Sequence, residues 1–382
     1  MNHRRKIVIV PPASGLFGAS GSARSSHWQA MKLAHALAAD SDTEVIVATS
    51  DDFSHGVTEE PNVRIEAIAS SCNRRAVHAL KSGGTMLKLV RRSSLAIALL
   101  IGHMRIRWVM KPDVLISFIT ATNIIALLAS RRGTVIVCER NDFIRKKTPT
   151  IVRILALRMY RRASKVVCNH PGTARFFAQA VSVPESIFIP NFLTLHNPED
   201  PLRTQKSSDR IVMVGRLSPE KNHEFVLRCL PPLVVDFPSL SIDVLGDGKE
   251  HDRLQDLAAD LGIEERVFFH GHVRDVTGVV SRSDLLVIAS EFEGLPNVCL
   301  EAMTLGTPCL ISTSISSMHE LFRDDEHFFG YRHSDQSDFV AQCARILHSR
   351  SKRSIVARNA QMAVKKLCSD ASVTQEWREI LS

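Results

Sequence analysis

Between Asp284 and Ser312 the chain spells out one complete strand–loop–helix–strand unit. Asp284-Leu285-Leu286-Val287-Ile288-Ala289 is an apolar, strand-like run, and Cys309-Leu310-Ile311-Ser312, after Gly306-Thr307-Pro308, reads as the next strand. A β-α-β unit of this kind belongs in a parallel sheet, whose two faces are covered by helices. The stretch between the strands, Ser290–Met303, opens as a short acidic loop and continues as a helix. Gly294 permits a sharp turn, and Pro296 suits the first helical position, where a missing N–H costs nothing. The free N–H groups of that helix start make an anion site. Glu293 lies on the loop and Glu301 is expected two turns into the helix, with Asn297 and Glu301 sharing a face at i, i+4. Phosphate at a helix start with carboxylates beside it suits a sugar joined to a nucleoside diphosphate. An ordinary β-α-β unit with surface carboxylates is the alternative.

The same residues resemble the signature of the retaining GT-B glycosyltransferases, the group 1 or family 4 transferases. The resemblance lies in two glutamates separated by seven residues, Glu293 and Glu301, within Glu-Phe-Glu-Gly-Leu-Pro-Asn, Glu-Ala-Met and Gly-Thr-Pro. It implies two doubly wound, Rossmann-like α/β domains facing a cleft. It further implies that Glu293 orients the donor sugar, that Glu301 holds the ribose hydroxyls, and that Gly294, Leu295, Pro296, Asn297 and Val298 line the donor pocket. The 382-residue length and the alternation of strand-like and helical runs agree with two α/β domains.

A second motif precedes the first. Arg210–Val214 reads as a strand, followed by Gly215-Arg216-Leu217-Ser218-Pro219-Glu220-Lys221-Asn222 and a helix from His223 to about Val235. A glycine turn thus holds two cations at a strand's carboxyl end, where they can neutralise a diphosphate. The resemblance assigns Arg216 and Lys221 to the donor phosphates; solvated surface charges are the bland reading. The resemblance implies that Gly246, in Gly-Asp-Gly after Ser241–Leu245, lines the nucleotide pocket with Gly215; alone, Gly-Asp-Gly is a weak signal, often just a turn. His272 follows a glycine at a strand end and is expected near the base, or as a plain loop residue.

The first half is read more loosely. Strands are expected at Lys6–Val10, Glu44–Thr49, Val63–Ala69, Asp113–Ile119, Thr134–Cys138, Lys165–Asn169 and Ile187–Ile189. The loop after the first strand carries Gly15, Gly18 and Gly21, spaced unlike a dinucleotide fingerprint. By resemblance this loop, with Arg24, touches the diphosphate or the acceptor. Where many family members have a His near the reacting sugar, this chain has Glu139-Arg140-Asn141-Asp142, so no catalytic His is assigned. Arg140 and Asn141 are the expected contacts to the acceptor or donor sugar, or part of a capped turn. The first domain is expected over 1–190 as the acceptor side and the second over 191–369 as the nucleotide-sugar side. The last helix, about 370–382, is expected to return to the first domain.

Charge bears on partners. From Ser71 to Lys165 there are 20 Lys and Arg against three acids, a net of +17, in a chain whose total is +8. Basic residues bracket the apolar run Leu95–Ile101 within 74–110, the pattern of an interfacial helix; a buried core helix is the alternative. An anionic membrane surface and a lipid-linked or saccharide acceptor are expected, with no nucleic acid, because no binding motif accompanies the charge. No run reaches 18 apolar residues, and Ile7–Val10 stops at Pro11-Pro12 as a first strand rather than a signal peptide. A cytoplasmic protein, peripheral on the inner face of the plasma membrane, is therefore expected. Eight scattered Cys form no Cys-x-x-Cys and read as buried hydrophobes. Asp40-Ser41-Asp42 reads as a turn, and no metal or cofactor is expected, only a nucleotide-sugar co-substrate, a UDP-sugar first. Two other classes stay open: a nucleotide-sugar epimerase of the same architecture, and a non-catalytic nucleotide-sugar-binding protein.

Overall fold

A computed structural model of the chain describes residues 4–12, 21–49, 63–67, 101–130, 133–193 and 209–382. The chain divides into two compact units, Met1–Phe192 with Val373–Ser382, and Leu193–Ser372.

The first unit carries seven strands: β1 (Arg5–Val10), β2 (Thr43–Thr49), β3 (Val63–Ala67), β4 (Val114–Phe118), β5 (Thr134–Glu139), β6 (Lys165–Cys168) and β7 (Ser186–Phe188). Their order is β3-β2-β1-β4-β5-β6-β7, and every neighbouring pair is parallel. The helices α1 (Gly21–Ala38), α2 (Thr120–Ala129), α3 (Thr150–Tyr160) and α4 (Pro171–Phe176) lie between the strands in sequence. Alternate residues of β1 enter opposite cores: Val8 and Val10 on one face, Ile7 and Ile9 on the other. That accounts for strands written as unbroken Val/Ile runs, since both faces are dry.

The second unit has six parallel strands: β8 (Arg210–Val214), β9 (Ser241–Leu245), β10 (Val267–Gly271), β11 (Leu285–Ile288), β12 (Cys309–Ser312) and β13 (Phe329–Tyr331), ordered β10-β9-β8-β11-β12-β13. Its helices are α5 (His223–Arg228), α6 (Leu230–Asp236), α7 (His251–Asp260), α8 (Val276–Arg282), α9 (Asn297–Thr304), α10 (Ser316–Leu321), α11 (Gln336–His348) and α12 (Arg350–Cys368). The last helix, α13 (Asp370–Leu381), buries Val373, Trp377 and Leu381 in the same core as Ile7 and Ile9 of the first unit. Arg378 pairs with Asp40 at 2.8 Å, so Asp40 anchors this helix.

Several boundaries differ from the sequence reading. The helix expected from His223 to Val235 breaks at Cys229, because Pro231 and Pro232 are tolerated only in the first turn of a new helix. The helix that the sequence places over His272–Ser281 starts at Val276 instead, capped by Asp275, whose Oδ1 accepts from the Gly278 N–H at 2.8 Å. Pro296 is the cap rather than the first helical residue, and Glu301 lies one turn into α9 rather than two. Strand β13 and helices α7, α11 and α12 lack counterparts in the sequence reading.

Candidate active site

In each parallel sheet the order reverses at one point, and ligands bind outside the strand carboxyl ends there. In the second unit the reversal falls between β8 and β11. The loops leaving those two strands are the two motifs singled out by sequence, 215–222 and 289–296. They are joined directly: the Lys221 Nζ donates to Glu293 Oε1, and the Glu291 N–H donates to the Glu220 carbonyl at 2.8 Å. Ser290 Oγ also donates to Glu293 Oε1, at 3.0 Å. One carboxylate oxygen is thus doubly engaged, while Oε2 makes no hydrogen bond among the described residues. Ser290 is itself held by Ser314 Oγ, which donates to the Ser290 carbonyl at 2.6 Å. Nothing in the motif match singled out Ser290 or Ser314; Ser290 reaches the glutamate from three residues earlier on the same loop, and Ser314 reaches Ser290 because β11 and β12 pair.

The backbone under this pair is tightly laced. The Gly215 N–H donates to Leu245 O at 2.9 Å, the Leu217 N–H to Asp247 O at 3.1 Å, and the Gly246 N–H to Gly271 O at 2.8 Å. Gly246 has φ +139°, and a Cβ there would sit 1.8 Å from the Gly215 carbonyl oxygen. A Cβ on Gly248 would lie 2.1 Å from Leu217 O. Gly-Asp-Gly is therefore a close backbone approach that seats the Gly215–Asn222 loop, more than a generic turn.

Arg216 is half-buried on the same loop, and Asn297, Val298 and Glu301 are half-buried on α9 behind the buried Gly294, Leu295 and Pro296. His272 is exposed just past β10. Next to Lys221, His223 is 4% exposed, and its Nδ1 has no hydrogen-bond partner. Burial first, and then the Lys221 charge, lower its pKa to about 4. A neutral imidazole there adds no second cation to compete with Lys221.

In the first unit the reversal falls between β1 and β4. Gly15 and Gly18 lie outside the described residues, and Gly21 and Arg24 fall in the first turns of α1. At the end of β4, Ile119 holds φ 73°, a costly value for a β-branched residue. At the end of β5, Glu139 is buried and accepts from Tyr160 Oη. Asn123 Nδ2 donates to Tyr160 Oη at 2.8 Å and to Cys138 O at 3.0 Å. Burial pushes the Glu139 carboxyl up, against the hydrogen bond from Tyr160. Arg140 is 7% exposed, stacks over Phe118 at 5.2 Å and donates to Asn191 Oδ1 at 3.0 Å. Asp142 caps the following turn, accepting from the Ile144 and Arg145 N–H groups. The capped-turn alternative for this segment is thus realised by Asp142, not by Arg140 or Asn141.

Helix α3 turns Ile151, Ile154, Leu155 and Arg158 outward, at i, i+3, i+4 and i+7. Trp108, at 72%, and Ile144 are exposed in the same unit, with Arg145, Lys147, Arg161 and Arg162. The basic stretch expected as interfacial, 74–110, lies outside the described residues up to 100. Among the described residues no helix is long and apolar enough to cross a membrane, and no group of His, Cys, Asp and Glu has the clustering of a metal site.

Residues 199–362 match the family described as "Glycosyl transferases group 1". The chain is 26% identical over 276 residues to the lipopolysaccharide core biosynthesis glycosyltransferase LpsE of Rhizobium meliloti, covering 71% of this chain and 76% of that one. It is also 26% identical over 221 residues to the N-acetylgalactosamine-N,N'-diacetylbacillosaminyl-diphospho-undecaprenol 4-alpha-N-acetylgalactosaminyltransferase of Campylobacter jejuni, covering 55% of this chain and 60% of that one. The structure of Anabaena HepE in complex with UDP superposes with a TM-score of 0.74 at 18% identity over 99% of both chains, a likeness of fold. Residues 199–362 carry the likeness to the group 1 glycosyl transferases, and the chain is a glycosyltransferase of the GT-B fold.

Proposed function

We propose that the chain moves a hexose or N-acetylhexosamine from a nucleotide sugar, a UDP-sugar first, to a membrane-associated, lipid-linked saccharide, with retention at the anomeric carbon. The observation that carries this reading is the Lys221–Glu293 pair across the reversal between β8 and β11, with Glu293 Oε2 left for a substrate hydroxyl. Arg216, Lys221 and the amides at the start of α9 stabilise charge on the leaving diphosphate. Glu301, Gly215, Gly246 and His272 complete the nucleotide pocket, while Gly15, Gly18, Gly21, Arg24, Arg140 and Asn141 serve the acceptor side. The acceptor hydroxyl attacks the anomeric carbon as the bond to the diphosphate breaks. Its proton passes to a diphosphate oxygen, leaving a glycoside and a nucleoside diphosphate. No metal enters this scheme, so full activity in chelator is expected.

The names of the relatives support the pathway class: one acts in lipopolysaccharide core biosynthesis, the other on a diphospho-undecaprenol saccharide. The outward apolar face of α3, rimmed by cations, supports a peripheral position on an anionic, cytoplasmic membrane face. Calorimetric titration with UDP-, GDP- and ADP-sugars tests the donor reading. Binding of one nucleotide sugar by the wild type, lost in Lys221→Ala, is the expected result. Equal binding by wild type and Lys221→Ala would remove the assignment.

A further inference from the structure

The carboxyl ends of β5, β6 and β7 place Arg140, Asn169 and Asn191 together in the first unit. Asn191 Oδ1 accepts from Arg140 Nη1 at 3.0 Å and from Asn169 Nδ2 at 3.3 Å. Arg140 is buried, yet no carboxylate pairs with it among the described residues. The neighbouring Glu139 is held through Oε1 by Tyr160, and its buried Oε2 makes no hydrogen bond. A buried charge is ordinarily paired, because desolvating it alone costs several kcal/mol. Among the described residues the guanidinium has the Phe118 ring and one amide oxygen. Its Nε is buried without a partner, and the same holds for Asn141 Nδ2 and Asn169 Oδ1. The cluster therefore presents unused donors of one fixed fork, a second donor from Asn141, and one unused acceptor.

We infer that Arg140, with Asn141 and Asn169, forms a binding site for an acidic group on the acceptor, a phosphate or a carboxylate with a hydroxyl beside it. A guanidinium fork engages either oxyanion through two parallel N–H bonds. The Asn169 oxygen takes the adjacent hydroxyl. Asn191 is a positioning residue, fixing one edge of the fork while Phe118 fixes its plane. The inference rests on the transferase reading, and it narrows the acceptor to one that carries negative charge close to the accepting sugar.

The test uses the full chain with saturating UDP, which occupies the donor site. Inorganic pyrophosphate and glucuronate are titrated separately by calorimetry. One of them is expected to bind at one site per chain, which separates the phosphate source from the carboxylate source. Arg140→Gln should weaken that binding by about tenfold to a hundredfold, the worth of a charged hydrogen-bond pair. Arg140→Lys, which keeps the charge without the fork, should fall between, and UDP affinity should stay unchanged. Asn169→Ala should weaken glucuronate more than pyrophosphate, which lacks a neighbouring carbon hydroxyl, and it carries the test if a folded Arg140→Gln cannot be obtained. Two results would overturn the site: neither probe binding the UDP-saturated wild type, or binding left intact by Arg140→Gln and Asn169→Ala. A loss of UDP affinity in Arg140→Gln would assign the arginine to the donor and overturn it equally. Absence of UDP binding in the wild type would instead strike the donor reading, and titration without UDP would still probe Arg140.

Discussion

At the scale of single residues, Lys221 holds Glu293, and in the proposed reaction the same charge faces the leaving diphosphate. Lys221→Ala should reduce transfer by about 10²- to 10³-fold, comparable to removing one oxyanion donor. The protein should still fold, because the lysine is partly exposed and on a loop. Circular dichroism beside initial rates checks both halves of that statement. Ser290→Ala leaves the Lys221 contact in place but frees the carboxylate to rotate. It should lower kcat by a few fold to tenfold, with nucleotide affinity unchanged, since the Ser290 hydroxyl donates to the glutamate proposed to orient the sugar. His223 makes a separate statement about pH. Its folded pKa, about 4, lies below the ordinary 6.5, so the unfolded chain binds more protons between those values. Stability should therefore fall as pH drops from about 6.5 towards 4, by an amount on the order of 3 kcal/mol at 1.36 kcal/mol per pH unit. His223→Gln should flatten that part of the profile of denaturant midpoint against pH. The glutamates and cations were legible in the sequence because their spacing along the chain is the signal. Ser290 and His223 were not, because hydrogen bonding to Glu293 and burial beside Lys221 are properties of the assembled loops.

At the scale of elements, the carboxyl-end loops of β8, β9 and β10 form one laced layer under the site. Gly246→Ala would drive a methyl into the Gly215 carbonyl at 1.8 Å, with backbone on both sides and no side chain to yield. The loop holding Lys221 should shift, so the expected outcome is a loss of several degrees in Tm together with loss of nucleotide affinity. Thermal unfolding with and without UDP measures both. In sequence this turn looked like a weak signal; its strictness comes from Gly215, a partner thirty-one residues earlier. The same limit applies to helix ends. Pro231-Pro232 forced a break that apolar periodicity alone smoothed over, and Asp275 capped α8 later than the strand end suggested. Strand β13 is three residues long, too short for a period to register.

At the scale of the whole molecule, the charge asymmetry and the outward face of α3 belong to the same unit. The protein should float with anionic vesicles at low salt and be released by about 0.5 M salt, because attraction to lipid headgroups falls off within a Debye length. Ile151→Glu with Ile154→Glu should abolish flotation without lowering Tm, as both side chains face outward. A double variant that floats as well as the wild type would remove α3 from the membrane reading. The sequence by itself determined the class of the fold, since unbroken Val/Ile strands alternating with helices can be satisfied only by parallel sheets covered on both faces. It also determined which carboxylates and cations were chemical candidates, because turn glycines, a helix-start proline and the glutamate spacing are local. Only the tertiary structure decided that Lys221 and Glu293, 72 residues apart, share a hydrogen bond, and that Arg140 is buried without an ion-paired acid among the described residues. The reason is physical: local sequence encodes backbone geometry and periodicity, whereas strand order, and with it every contact between loops, is set by which apolar faces pack together.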